Sequence, residues 1–146
     1  MIDPRGPRFA AALTTVVLAV VLVTGSAWLL AAQTVAFAVG AFAGLHRSPY
    51  GVLFRRFVRP RLAPPAELED AAAPRFAQLV GFGFALVGTV ALFAGATVVG
   101  QLAVAAALAA AFLNAAFGYC LGCEVYLIGR RLLAGATPRT AEEISA

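Results

Sequence analysis

The chain contains no lysine, so all 11 of its basic residues are arginine. Cysteine occurs twice, histidine, tryptophan and methionine once each, and only 12% of the 146 residues are charged. Each scarcity removes a class of protein. A soluble domain is excluded, because typical globular chains carry about 25% charge and about 45–50% apolar residues, whereas 62% here are hydrophobic. One histidine and two cysteines fall short of the four ligands of a structural zinc site, so any such site needs a carboxylate as well. A single cysteine pair also rules out the second dithiol through which some membrane thiol enzymes shuttle electrons. The arginines form no stripe interleaved with stacking aromatics, so the net charge of +4 is no nucleic-acid signature. Arginine in place of lysine, beside abundant alanine, fits a coding bias. No A-x-A-like cleavage site follows the first nine residues, and a second apolar run begins soon after the first. The first run is therefore expected to stay in the mature protein.

What is present is apolar sequence in long blocks. A membrane-crossing helix needs roughly 17–25 mostly apolar residues, and there are four candidate stretches, at about 9–24, which is short, 27–45, 76–94 and 101–128. The expected fold is a single all-α membrane domain over residues 1–146, a bundle of four transmembrane helices, with Trp28 at an interface and a linker over 46–75. Charge then orients it. The short connections Thr24–Ser26 and Gly95–Gln101 carry no charge. Arg5 and Arg8 precede span one, Arg47, Arg55, Arg56, Arg59, Arg61 and Arg75 lie between spans two and three, and Arg130, Arg131 and Arg139 follow span four. Every arginine thus falls on one side, which the positive-inside rule makes cytoplasmic. Both termini are expected inside, in the plasma (inner) membrane.

Within the linker, SPYGVLFRRFVRPRL sets Val52, Leu53, Phe54, Phe57 and Val58 against basic residues. This pattern predicts a short amphipathic helix in the headgroup layer, stopped by Pro60. Arg55, Arg56, Arg59 and Arg61 would dock anionic lipid or a cytoplasmic protein. An internal echo accompanies it: Pro7-Arg8-Phe9-Ala10 opens span one and Pro74-Arg75-Phe76-Ala77 opens span three, as two helical hairpins duplicated in parallel would. Gln33 and Asn114, polar residues within spans, are expected to hydrogen-bond between helices.

The stretch with chemistry is GYCLGCE, residues 118–124, which holds both cysteines and Glu124. If span four starts near Gln101, Cys120 lies roughly 29 Å along it at 1.5 Å per residue, at the cytoplasmic border of the hydrocarbon. Cys120 and Cys123 are spaced i, i+3, so on one continuous helix they share a face, with Glu124 close to it. Gly118 and Gly122 stand in G-x-x-x-G spacing on the opposite face, where another helix can approach closely. Towards the C-terminal end of a helix the dipole opposes a thiolate. Arg130 and Arg131, or the Arg55–Arg61 segment, would have to compensate, and Glu124 would accept the proton. An i, i+3 pair reaches disulfide distance without large backbone movement. Packing remains an alternative, since cysteine serves as a small hydrophobe in helices. So does a metal site formed by Cys120, Cys123 and His46 with Glu124.

The run Asn114-Ala-Ala-Phe-Gly-Tyr-Cys-Leu-Gly-Cys123, with Arg47–Gly51 (RSPYG), Arg55–Pro60 (RRFVRP) and Arg75–Gln78 (RFAQ), resembles the DUF4395 family of bacterial membrane proteins over nearly the whole chain. The family's activity is uncharacterised. The association of some relatives with thioredoxin-like or rhodanese-like proteins implies thiol or sulfur handling and such a cytoplasmic partner. The thioredoxin W-C-G-P-C pattern is absent. The expected function is that of a membrane-embedded dithiol protein, acting in thiol–disulfide or sulfane-sulfur transfer. Cys123 is the expected attacker, Cys120 the resolver and Glu124 the base. A quinone or a thioredoxin-like protein is the candidate electron partner. The alternatives are a non-enzymatic scaffold or accessory subunit and a metal-binding protein. The oligomeric state is left open, a homo-oligomer included.

Overall fold

The structure, a computed structural model, describes residues 1–136. Arg139 lies outside them. The described chain is all-α, with no strand and a single isolated bridge between Ile2 and Glu69. Its helices are α1 (Arg5–Thr24), α2 (Ala27–Ala38), α3 (Pro49–Leu53), α4 (Ala72–Phe93), α5 (Thr97–Phe117) and α6 (Leu121–Ala136). Helices α1, α4 and α5 are long and apolar enough to cross a membrane, while α2 with its π-helical continuation spans the shorter stretch Ala27–Ala43. Their outer faces carry exposed Val16, Val20, Val35, Val87, Val90 and Leu102. So much exposed apolar surface fits a lipid bilayer as solvent.

Packing joins these four into a ring in which α1 touches α2 and α5, and α4 touches the same two. Neighbours in the ring run antiparallel because two tight connections join them, Gly25–Ser26 and Ala94–Ala96. Gly25 ends α1 in the left-handed region (φ 67°), and the Ser26 hydroxyl caps α2 by accepting from Leu29 N–H at 3.2 Å. Leu18, Val21, Leu30, Phe37, Ala85, Val104 and Ala107 fill the centre. Gln33, wholly buried, donates to Thr14 Oγ1 at 3.4 Å and accepts from the Tyr50 hydroxyl. Thr34 and Thr89 share a hydroxyl hydrogen bond of 3.0 Å. These interior polar groups are thus paired, as a bilayer environment would favour, whereas Gln101 Oε1 is buried with no partner among the described residues. The Asn114 side chain, expected to bond in the same way, has no hydrogen bond among the described residues and lines a cavity instead.

Three sequence expectations need correction. The stretch at 27–45 leaves α-helical geometry after Ala38, widens into a π-helical turn over Val39–Ala43, and stops at Gly44 (φ 110°). The stretch at 101–128 is two helices: α5 starts earlier, at Thr97, and ends at Phe117, because Gly118 adopts φ 69° and ψ 15°. The interfacial segment is helical but composite, with α3 passing into a π turn (Phe54–Val58) and a 3-10 turn (Arg59–Arg61).

The two halves are built alike. In each, a helical hairpin is followed by a positive-φ glycine, Gly44 or Gly118, and then by a capped helix, α3 or α6. Helix α3 packs on α1, where Phe9 meets Phe54 with ring centroids 5.8 Å apart. Helix α6 packs on α4, where Phe76 meets Tyr126 at 5.6 Å. Arg8 of α1 bonds carbonyls at the end of α5, and Arg75 of α4 bonds Ala41 O at the end of α2, at 3.0 Å. The repeated Pro-Arg-Phe-Ala therefore does the same work twice, its arginine closing the far hairpin and its phenylalanine seating an amphipathic helix.

Candidate functional site

At the break between α5 and α6 the carbonyls of residues 113–116, at the end of α5, are hydrogen-bonded. Gly118 N–H donates to Asn114 O (3.0 Å) and Tyr119 N–H to Leu113 O (3.3 Å). Arg8 donates from Nε to Ala115 O at 3.1 Å and from Nη2 to Ala116 O at 3.3 Å. A cation on the last carbonyls also opposes the negative end of the helix dipole. Glycine is needed at 118 because side chains disfavour φ near +69°.

Helix α6 starts at once. Glu124 N–H donates to Cys120 O (3.0 Å), the first bond of the new helix, and Cys123 N–H donates to Cys120 Sγ at 3.2 Å. Cys120 is therefore the N-cap, its sulfur in the place where Ser48 Oγ caps α3 by accepting from Gly51 N–H at 3.0 Å. Cys120 and Cys123 are joined as a disulfide, with Cα atoms 5.2 Å apart, and both are half-buried. This corrects the expected electrostatics. The pair occupies the N-terminal turn of one helix rather than the C-terminal part of another, so the dipole and a free N–H favour negative charge on sulfur.

Other predicted residues separate. Gly118 and Gly122 do not share a packing face: the first is the turn, beside the Arg8 side chain, and only the second lies against the backbone of another helix. A Cβ at Gly122 would come within 2.6 Å of Ala77 Cα and Cβ, so α6 meets α4 there at backbone distance. Glu124 lies in the first turn of α6, where a carboxylate complements the dipole, and makes no side-chain hydrogen bond among the described residues. His46 is exposed in the Leu45–Arg47 turn and lines a second cavity with Asp3, Ser48 and Arg59. Among the described residues no group of three or more His, Cys, Asp or Glu side chains converges on a metal position. Arg55 is tied to His46 O at 2.5 Å and Arg56 stacks on Phe57, with Arg56, Arg59 and Arg61 exposed. The cation beside the cysteine turn is Arg8, whose Cζ lies 3.9 Å from where a Gly118 Cβ would be. Sequence reasoning passed over it, since only the fold brings residue 8 to residue 118.

Cys120 also borders a cavity of about 390 Å³, lined mainly by apolar side chains of α1, α4, α5 and α6. Cys123 instead lies on the face of α6 that carries Arg130, two turns on.

The site defines a class: a helical protein suited to a bilayer, with a cysteine pair at a helix N-terminus. The chain belongs to the family described as Domain of unknown function (DUF4395), whose model matches residues 2–131. No curated protein and no solved structure shows significant similarity to it.

Proposed function

We propose that the protein is a membrane-embedded dithiol–disulfide exchanger. The observation that carries this reading is the capping of α6 by Cys120: one sulfur of the pair accepts a backbone N–H at a helix N-terminus, which makes it a good leaving thiolate. The partner is a cytoplasmic protein dithiol. Its thiolate attacks Cys123 Sγ, forming a mixed disulfide, and the Cys120–Cys123 bond breaks with its electron pair on Cys120 Sγ. The partner's second thiol then displaces Cys123. The partner leaves oxidised, and its two protons end on the reduced pair or in solvent. Glu124 is the local carboxylate for that transfer.

The protein works with four spans, α1, α2, α4 and α5, and with both termini on the cytoplasmic face of the plasma membrane. Support comes from the arginines. Arg5, Arg8, Arg75 and the Arg55–Arg61 segment belong to the end of the bundle that holds the cysteine turn, while the opposite connections carry no charge. On that side a disulfide is a transient one.

The test is redox trapping in intact cells. A maleimide mass-tag assay should report two thiols gained and lost reversibly under reductant and oxidant. Cys120→Ser should accumulate a mixed disulfide through Cys123, and Cys123→Ser should not. Thiols that stay reduced under every condition, with a double serine variant indistinguishable from wild type, leave the pair as packing.

A further inference from the structure

The reduced pair needs an oxidant, and the cavity beside Cys120 has the form of a site for one. Its volume of about 390 Å³ lies within the roughly 300–1,000 Å³ of small-molecule sites. Its walls include Gly81, Ala107, Ala110 and Ala111, small residues that leave room between the helices. At the rim Phe84 (44% exposed) and Val125 (56% exposed) face the outside of the bundle, so the slot opens where lipid would be rather than to water. Two carboxamides, Gln78 and Asn114, line it, and neither has a hydrogen-bond partner among the described residues. A lipid-soluble planar molecule with carbonyl oxygens matches each of these features, whereas an acyl chain leaves both carboxamides unpaired.

We infer that this cavity binds the ring of a membrane quinone and that the quinone re-oxidises the Cys120–Cys123 dithiol. The inference rests on the exchange reading above. The Cys120 and Cys123 S–H bonds break and one S–S bond forms. Two electrons and two protons pass to the quinone, whose carbonyl oxygens become the hydroxyls of a quinol. Gln78 and Asn114 hold those oxygens, and Cys120, on the cavity wall, is the sulfur next to the ring. Electrons then run from a cytoplasmic dithiol through Cys123 and Cys120 into the membrane pool.

The experiment uses the reduced full-length protein in lipid nanodiscs, anaerobically, with ubiquinone-1. One quinone should be consumed for every two thiols lost. Ala110→Phe, which fills the slot, should slow this by about tenfold or more. The control Ala109→Phe, on the exposed side of α5, should not. Closure of the disulfide by diamide in both variants certifies folding. Quinone binding is read separately, by photolabelling the Cys120→Ser/Cys123→Ser variant with an azidoquinone, and label should fall on α5 and be lost with Ala110→Phe. A pair that cycles with dithiothreitol, yet shows neither labelling nor quinone-dependent closure, overturns the quinone site and leaves the exchange reading standing. Labelling that Ala110→Phe abolishes, with thiols that never cycle, keeps the site and overturns the exchange. Labelling of the slot by a photoactivatable fatty acid alone makes it a lipid groove and also overturns the inference.

Discussion

Gly118 and Gly122 look equivalent in the sequence and behave differently in the fold, and substitution separates them. At Gly118 the backbone is left-handed and an added Cβ would meet Arg8 only at an ordinary contact distance of 3.9 Å, so Gly118→Ala should cost about 1–2 kcal/mol of strain, and Gly118→Asn less. At Gly122 the fault is steric: Gly122→Ala should cost about 1–3 kcal/mol through overpacking against α4. Ala77→Gly should not restore it, because the new methyl would still lie 2.6 Å from the Ala77 Cα. Thermal melts of the two single variants and the double variant in detergent check this, and a double variant as stable as Ala77→Gly alone would refute the backbone contact. Asp3 gives a pH signature. The Arg5 guanidinium, bonded to it at 2.8–3.2 Å, holds its carboxyl below the usual value of 3.8. A carboxyl depressed by folding stabilises the fold fully above its unfolded value and loses that contribution as pH falls through the lower folded value. Asp3→Asn should therefore melt earlier than wild type at neutral pH, and the gap should close only in acid, below about 3.8.

At the scale of elements, α3 is held to the bundle by one polar link as well as by Phe54. The Tyr50 hydroxyl donates to Gln33 Oε1 in the interior, and burial pushes the Tyr50 phenol up from its ordinary value. Tyr50→Phe leaves that oxygen unpaired and should cost about 1–3 kcal/mol, of which Gln33→Leu in the same chain should recover only part, since it removes the unpaired oxygen but takes from buried Thr14 Oγ1 its bond from Gln33. Recovery is read as the coupling in a double-mutant cycle. Helix α6 teaches a related point. Its periodicity runs on from α5 with no polar interruption, so hydropathy joined them into one span. A single glycine torsion decided otherwise, and with it which end of a dipole the sulfurs meet.

For the whole molecule, the two-fold repetition predicts where charge is structural. Arg8 and Arg75 cap opposite hairpins, so replacing either with methionine should lower the melting temperature. Arg61→Met should not, since that exposed arginine has no hydrogen bond to its side chain among the described residues. Orientation is tested with single-cysteine reporters in a cysteine-free background. Positions Ser26 and Thr97 should label from outside and Glu67 should not, and the reverse pattern moves the cysteine turn to the oxidising face.

Composition and apolar block length were enough to place this chain among helical membrane proteins, and the doubled Pro-Arg-Phe-Ala already hinted at two similar halves. These are properties of the chain's overall solubility and of local repetition, and they survive without knowledge of contacts. The motif residues 114–123 likewise marked the family and the cysteine pair. What the sequence left undecided depends on torsions and on distant partners. A glycine reads the same whether it is helical or left-handed, and only the fold, by bringing Arg8 onto the last carbonyls of α5, makes ending that helix at Phe117 favourable. The cysteines consequently stand at a helix start, with Cys120 beside a cavity lined mainly by apolar side chains. Both relations are set by long-range packing, which residue order alone does not encode in any local pattern.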